Sequence, residues 1–124
     1  MALLIVKHIY VRVVKWSTSI TYHVHDKGAV NKRRGIKTSY FGLGDQLGYP
    51  DSFVDGIGIL AKVVLKNGGE VFGSWSTEGY DFDESLGVNP DGDFYGLVVD
   101  DDNQHEMTEE RIDKWLSQIS SHIS

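Results

Sequence analysis

The sequence contains no cysteine, which excludes disulfides, thiolate metal sites, iron–sulfur clusters and thiol catalysis. It has only two prolines in 124 residues, too few for a proline-rich disordered linker. No apolar run approaches the length that spans a bilayer, and the apolar start at residues 2–6 is too short for a secretory signal peptide. We therefore expect a chain of single-domain size with no membrane association. The expected location is the cytoplasm, or the plastid stroma if the source is a photosynthetic eukaryote.

The charges are unevenly distributed along the chain. Residues 1–40 carry eight basic side chains against one acidic side chain, a balance of +7. Residues 41–124 carry four basic and 17 acidic side chains, a balance of −13. A basic arm of this kind can bind nucleic acid or a membrane surface. It can equally be a stretch of different origin joined to an acidic one, and the charges alone leave both interpretations open.

Three polar clusters could carry chemistry, and each has a simpler explanation. The basic residues 31–35, NKRRG, have no interleaved aromatic residue and no helix pattern, which favours a solvated loop over a nucleic-acid site. His23 and His25 share a strand face, but two ligands make a weak metal site. The acidic residues 100–102 lack the spacing and glycine of a calcium loop, which favours a charged surface turn. We therefore expect no nucleic-acid partner, no metal and, without a nucleophile-elbow signature, no catalytic residue.

The N-terminal segment, residues 1–34, is basic and rich in strand-forming residues. Residues 3–16 contain many β-branched and aromatic side chains, which favours a strand. Residues 18–25 alternate between apolar and polar side chains, as a half-buried strand does. The two strands could form a β-hairpin with its turn at Ser17. The apolar face of the second strand would carry Ile20, Tyr22 and Val24, and its polar face Thr21, His23 and His25.

After residue 35 the pattern changes to an alternation of strands and helices. Strands are predicted at 36–42, 70–75 and 94–99, a long polar loop at 76–93, and helices that start at Asp51 or Ser52 and at Thr108. The sequence NGG at residues 67–69 should end the first helix. The predicted apolar stripes are Phe53, Ile57, Leu60, Ala61, Val64 and Leu65 in the first helix, and Ile112, Trp115, Leu116 and Ile119 in the second. This order predicts an α/β fold, a parallel sheet with helices on both faces, whose ligands bind outside the carboxyl ends of the strands.

One such strand end is followed by the loop FGLGDQLGYPDSF, residues 41–53. The loop holds three glycines and several hydrogen-bonding side chains around Tyr49, whereas a turn alone needs one or two glycines. Aromatic stacking favours a planar partner, and glycines let main-chain donors come close to it. The loop therefore predicts a site for a flat ligand.

Residues 35–124 resemble the C-terminal half of a long-chain flavodoxin. The stretches that carry the resemblance are YFGLGDQLGYPDSFVDGIGIL, GSWSTEGYDFDES and GLVVDDDNQHEMTEERIDKWLSQI. The loop at 76–93 matches the insertion that splits the last strand in the long-chain type. The resemblance implies a partial flavodoxin-like half-domain over residues 35–124. The hairpin-like segment of residues 1–34 would be an addition of uncertain origin.

The resemblance also implies a binding site for FMN. Tyr49 would stack on the flavin ring, and the backbone around Gly44, Asp45 and Gln46 would meet the pyrimidine edge. Three further residues would complete the site: Asp51, which closes the loop; Ser52, where the family often has Asn; and Asp102, in the turn that approaches the ring.

The first part of the family pattern has no counterpart here. Residues 1–34 lack the Ser/Thr–Gly–Thr loop that wraps the FMN phosphate at a helix N-terminus, and the second flavin-contacting loop is also missing. A truncated or shifted reading frame would explain both this loss and the switch in charge. Binding of FMN is accordingly expected to be weak or absent.

The function implied by the resemblance is that of a low-potential FMN electron carrier, not an enzyme, impaired by loss of the phosphate loop. Its partners would be basic redox proteins such as ferredoxin–NADP reductase-type flavoproteins. The alternative is a flavin-free fragment or an interaction module without redox activity. Because half of the sheet is missing, self-association of the chain is also expected.

Overall fold

The computed structural model describes residues 9–16, 19–26 and 37–120. These residues form one five-stranded sheet and two helices. In chain order the elements are β1 (Ile9–Trp16), β2 (Ser19–Asp26), β3 (Lys37–Leu43), α1 (Asp55–Lys66), β4 (Glu70–Val71), β5 (Leu97–Val99) and α2 (His105–Ser120).

Strand β3 is the centre of the parallel part of the sheet. Near its start it pairs in parallel with β4, with Lys37 opposite Glu70, and near its end with β5, with Leu43 opposite Val99. The two short strands therefore follow each other along one edge of β3, with the long loop between them. Both are shorter than predicted. Strand β4 ends two residues before Gly73, which has a positive φ of 80°, and Phe94 does not belong to β5 but forms isolated antiparallel bridges with Trp75 and Val88.

The hairpin occupies the other edge of β3. Strands β1 and β2 pair antiparallel, and β2 pairs antiparallel with β3 from Ile20 opposite Leu43 to His25 opposite Thr38. The sheet is therefore mixed: the predicted parallel arrangement holds for β3, β4 and β5, and the hairpin adds two antiparallel strands. The predicted turn at Ser17 and the basic residues 31–35 lie outside the described residues.

Side chains alternate between the two faces of β3 and β5, and each face receives one helix. Tyr40 and Val98 belong to the core on the α1 face, together with Phe53, Val54, Ile57, Ala61, Phe94 and Tyr95. Leu97 and Val99 belong to the core on the α2 face, together with Trp115 and Ile119. The prediction of an α/β sheet with helices on both faces is confirmed.

Helix α1 begins later than the sequence indicates. Its first residue is Asp55, and neither Asp51 nor Ser52 caps it. The backbone before the helix instead pairs with the long loop. The carbonyl of Pro50 accepts the N–H groups of Asp83 and Glu84, which belong to that loop, at 2.9 Å each. Two members of the predicted stripe also differ: Phe53 is buried but precedes the helix, and Leu65 is exposed. The predicted end is correct, since α1 stops at Lys66 before the glycines at 68 and 69.

Helix α2 begins at His105, three residues before the predicted cap. Thr108 does not cap the helix but donates its hydroxyl hydrogen to Asp101 Oδ1 at 2.9 Å. The same carboxyl oxygen lies 2.7 Å from Nδ1 of His105. The predicted stripe is otherwise right, with Trp115 and Ile119 buried and Ile112 and Leu116 packed against them. Within the described ranges, neither helix has the length and apolar character needed to cross a bilayer.

Val54, the residue before α1, is a buried β-branched residue in the left-handed conformation, with φ 47° and ψ 36°. This conformation strains any residue with a Cβ, and glycine escapes the strain. Val54→Gly should therefore be more stable than Val54→Ala by about 1 kcal/mol, although glycine removes more of the side chain. Urea denaturation of the two variants measures the difference. A more stable alanine variant would show that residue 54 is not left-handed in solution.

Candidate functional site

The candidate site lies where β3 and β5 end at the same edge of the sheet. Residues 44–54, here called the β3–α1 loop, follow β3, and residues 100–104, the β5–α2 turn, follow β5. The N–H of Gly44 donates to the carbonyl of Val99 at 3.0 Å, so the two connections leave the sheet side by side. In open α/β sheets this edge is where ligands bind.

Asp100 joins the two connections from below. It is fully buried, and its Oδ2 accepts the main-chain N–H of Gln46 at 2.9 Å. Asn103 donates its side-chain amide to Asp100 and, at 2.7 Å, to Oδ1 of Asp45. The expectation of a charged surface turn at residues 100–102 is therefore wrong for Asp100 and right for Asp101 and Asp102, which are exposed. Sequence reasoning missed Asp100 and Asn103; the available signal was that Asp100 directly follows the apolar run of β5.

Asp45 closes the β3–α1 loop into a turn. Its Oδ1 accepts the N–H of Gly48 at 2.8 Å, and its carbonyl accepts the N–H of Tyr49 at 2.9 Å. A Cβ at Gly48 would lie 2.4 Å from Oδ2 of Asp45, and one at Gly44 would lie 2.8 Å from Cγ1 of Val54. A Cβ at either position would therefore displace a side chain of the loop, a reason for glycine that the sequence did not reveal.

The hydrogen bonds that Asp45 accepts in the loop change its pKa, so a measurement of that pKa tests whether the bonds form. The N–H of Gly48, and secondly the amide of Asn103, hold the pKa of Asp45 below its ordinary value of 3.8. The ionised form therefore stabilises the fold at pH values above 3.8, and this contribution is lost as the pH falls through the lowered pKa. Asn103→Ala should move the pKa of Asp45 part of the way back up, since the Gly48 contact remains. An NMR titration of the carboxyl group measures it, and an unchanged pKa would contradict the Asn103 contact.

The predicted site residues occupy different environments. Gln46 is buried, and its Oε1 accepts the N–H of Asp81 in the long loop. Tyr49 is 48% exposed, Asp51 is exposed and Ser52 is half-buried. Asp102 is exposed and makes no hydrogen bond or ion pair with the part of the chain that the structure describes. The structure thus ties Asp45, Gln46 and Tyr49 into one hydrogen-bonded network with the β5–α2 turn, while the N–H of Gly44 donates to Val99. The N–H of Ser52 joins the network at the carbonyl of Tyr49, at 3.4 Å, and the side chains of Asp51 and Asp102 lie outside it.

The long loop, residues 76–93, supports the β3–α1 loop from outside. Phe53 stacks on Phe82 with ring centroids 5.4 Å apart, and its N–H donates to the carbonyl of Glu84. The guanidinium of Arg111 in α2 lies 4.1 Å above the ring of Tyr80, and burial raises the pKa of Tyr80 to about 12. The long loop is therefore fixed to α2 at one point and to the β3–α1 loop at another.

The fold and the two connections at its carboxyl edge define a class of protein. The parallel strands, the helices on opposite faces and the loops at the carboxyl edge are those of part of a doubly wound α/β domain, in which this edge binds the ligand. Among the described residues, no group of three or more side chains of the types that bind metals is clustered.

The chain is similar to known flavodoxins. The chain is 50% identical over 90 residues to the flavodoxin of Trichodesmium erythraeum, a match that covers 73% of this chain and 52% of the relative. It is 52% identical over 85 residues to the flavodoxin of a Synechocystis species, covering 68% of this chain and 49% of the relative. The chain spans about half the length of the curated relatives that it matches. No model of a known protein family matches the chain.

Solved structures give the same result. The flavodoxin of Fusobacterium nucleatum, bound to flavin mononucleotide, matches with a TM-score of 0.62 and 35% identity over 68% of this chain and 50% of that one. A single-substitution variant of it, also bound to flavin mononucleotide, matches with a TM-score of 0.64 and 38% identity over 68% of this chain and 49% of that one. Over about 70% of its length the chain is therefore similar to about half of a flavodoxin, and the resemblance identified in the sequence is confirmed.

Proposed function

We propose that the chain binds the ring of a flavin, FMN by analogy with its relatives, at the β3–α1 loop. The observation that carries the proposal is a preformed loop at the ligand-binding edge that presents the half-exposed ring of Tyr49. The main-chain N–H of Asp45 donates to no described residue, so a donor remains for the polar edge of the ring. The neighbouring N–H groups of Gly44 and Gln46 donate within the protein, so this single donor could meet one carbonyl group of a planar ligand.

The phosphate of FMN does not fit the described part of the chain in the same way. A phosphate site normally uses the free N–H groups and positive dipole end of a helix N-terminus. Both described helices begin beside carboxylates: Asp55 lies in the first turn of α1, and Asp101 contacts the first turn of α2. These negative charges would repel a phosphate. The lost phosphate contacts would each have contributed about 1.5–3 kcal/mol, so we propose that the affinity for FMN is weak.

The role that we propose is electron transfer, with no substrate turned over. A bound flavin would supply the redox chemistry, and the protein would supply position and electrostatics. Asp45 and Asp51 in the β3–α1 loop and Asp102 in the β5–α2 turn place negative charge at this edge of the sheet. This charge would disfavour the gain of further negative charge by a bound flavin and lower its reduction potential. The same carboxylates would attract basic redox partners, of which ferredoxin–NADP reductase-type flavoproteins are an example.

A titration with FMN and with riboflavin tests the proposal. Both should bind about equally weakly, because the affinity resides in the ring and not in the phosphate. Binding of FMN a hundredfold more tightly than riboflavin would show that a phosphate site exists. If neither flavin binds, the chain is the flavin-free fragment or interaction module that the sequence left as the alternative.

The contribution of Tyr49 can be measured in the same titration. Tyr49→Ala removes the stacking partner, and stacking of this kind contributes about 0.5–1.5 kcal/mol beyond buried area, so riboflavin should bind roughly three- to tenfold more weakly. Val63→Ala is a suitable control, because Val63 is 55% exposed on α1 and lies outside the β3–α1 loop. An unchanged dissociation constant in Tyr49→Ala would remove Tyr49 from the site.

A further inference from the structure

We propose that Asp100 is a positioning residue whose buried carboxylate holds the β3–α1 loop in its binding shape before any ligand is present. The inference deepens the proposed function, on which its flavin-binding part rests, because the loop in question carries Tyr49. It begins from the hydrogen bonds that meet at one side chain beneath the loop.

Asp100 is completely buried and is compensated only by neutral donors. Its Oδ2 accepts the main-chain N–H of Gln46 and the side-chain amide of Asn103, each at 2.9 Å, and its Oδ1 accepts the main-chain N–H of Asn103 at 3.1 Å. Among the described residues no lysine or arginine forms an ion pair with it. A buried carboxylate is tolerated only when hydrogen bonds replace its hydration, so the Gln46 end of the loop is a required partner.

Asn103 extends the hydrogen bonds of Asp100 to Asp45 in the β3–α1 loop. Its amide nitrogen lies 2.7 Å from Oδ1 of Asp45 and 2.9 Å from Oδ2 of Asp100, so one amide group separates two carboxylates and donates to both. Asp45 in turn accepts the N–H groups of Gly48 and Tyr49. A continuous series of hydrogen bonds therefore runs from Asp100 to the backbone of Tyr49.

The arrangement requires an aspartate and not its amide. In each of these hydrogen bonds an oxygen of Asp100 is the acceptor and a neighbouring N–H is the donor. An ionised carboxyl group can accept on both of its oxygens. In Asp100→Asn one oxygen becomes an NH2 group that must face a donor of Gln46 or of Asn103. The shape of the side chain is kept, but an acceptor is lost and two donors are brought together. A loop that is held in this way before binding needs little ordering when a ligand arrives.

Amide hydrogen exchange of the chain, residues 1–124, without flavin tests the positioning role directly. In Asp100→Asn the exchange of the amides of Gln46, Gly48 and Tyr49 should accelerate by about 10- to 100-fold, while the amides of α1 should keep their rates. Asp101→Asn is the matched control. It removes the same charge from the same turn, but its carboxylate contacts His105 and Thr108 and not the loop, so loop exchange should be unchanged.

A riboflavin titration of the same variants adds a second measurement. The affinity for riboflavin would not change if Asp100 contributed only to the stability of the fold. Asp100→Asn should bind riboflavin at least about tenfold more weakly than the wild type, which corresponds to about 1.4 kcal/mol. Asp101→Asn should bind it normally. Asn103→Ala leaves Asp100 in place and breaks the link to Asp45, so it tests the same series of hydrogen bonds if Asp100→Asn does not fold.

Three results would overturn the proposal. The first is unchanged loop exchange in Asp100→Asn. The second is acceleration that spreads equally over α1, which would make Asp100 a general contributor to stability. The third is normal riboflavin affinity despite faster loop exchange. If the wild type binds no flavin, the proposed function fails, and the exchange experiment alone still decides whether Asp100 fixes the loop.

Discussion

Gly58→Ala is expected to detach the long loop from α1 and to destabilise the protein by about 1–3 kcal/mol, the usual cost of overpacking a filled interior. A Cβ at position 58 would lie 1.7 Å from the carbonyl oxygen of Leu86 and 2.4 Å from its carbonyl carbon, and a backbone group cannot move aside as a flexible side chain can. Helix propensity alone predicts the opposite sign, because alanine in a helix interior is more stable than glycine by about 0.5–1 kcal/mol. The steric term is larger and decides the outcome.

Urea denaturation and limited proteolysis together measure this effect. The denaturation midpoint should fall, and cleavage within residues 76–93 should become faster. Gly68→Ala, just beyond the end of the same helix, is the control: a Cβ there meets nothing within 4 Å, and only its φ of 84° opposes the change. Gly68→Ala should lower the free energy of unfolding by about 1 kcal/mol and leave the long loop resistant to cleavage. Equal or higher stability of Gly58→Ala would show that Leu86 does not pack on α1 in solution.

The order of elements could be predicted because local patterns determine it. The apolar run that ends at Val99 and the glycines after Lys66 mark a strand end and a helix end wherever the rest of the chain lies. The stripe of Trp115 and Ile119 likewise follows from helical spacing alone. These signals need no knowledge of distant contacts, and they placed the candidate loop at the correct edge of the sheet.

The starts of both helices could not be predicted, because distant contacts set them. Ser52 is a good N-cap by residue type. The backbone at Pro50, however, pairs with the long loop more than thirty positions away, and the helix therefore begins only at Asp55. Thr108 is also a good N-cap, yet Asp101 contacts both it and His105, and α2 gains three residues at its start. Capping preferences describe a helix end in isolation, and these two ends are not isolated.

The position of the candidate loop in the fold was predicted, but the residues that support the loop from beneath were not. Tyr49 lies on the exposed side of its loop, where a sequence pattern can suggest a role. Asp100 and Asn103 act from beneath, and their importance depends on burial and on partners in another segment, neither of which is visible in an acidic run. The same is true of Gly48, whose missing side chain makes room for the carboxylate of Asp45 rather than for a ligand.

Deletion of residues 1–34 is expected to abolish the monomeric fold. Strand β2 pairs with β3 along six residue pairs, and helix α1 contacts both strands of the hairpin, so the deletion exposes one whole edge of the central strand. An unpaired edge beside exposed apolar surface invites pairing with another chain. We already expect self-association of the intact chain, and the deletion should increase it sharply.

Sedimentation and thermal unfolding at micromolar concentration decide this prediction. The deleted chain should sediment as dimers or larger species and should lose its cooperative transition, since the edge of β3 that pairs with β2 would be left unpaired. Removal of residues 1–8 alone is the control, because it leaves both strands of the hairpin intact and should change neither result. A sharp two-state transition of a monomeric chain without residues 1–34 would mean that the hairpin is a passive addition. In that case residues 35–124 would contain a complete folding unit, and the edge of β3 would be protected by means other than β2.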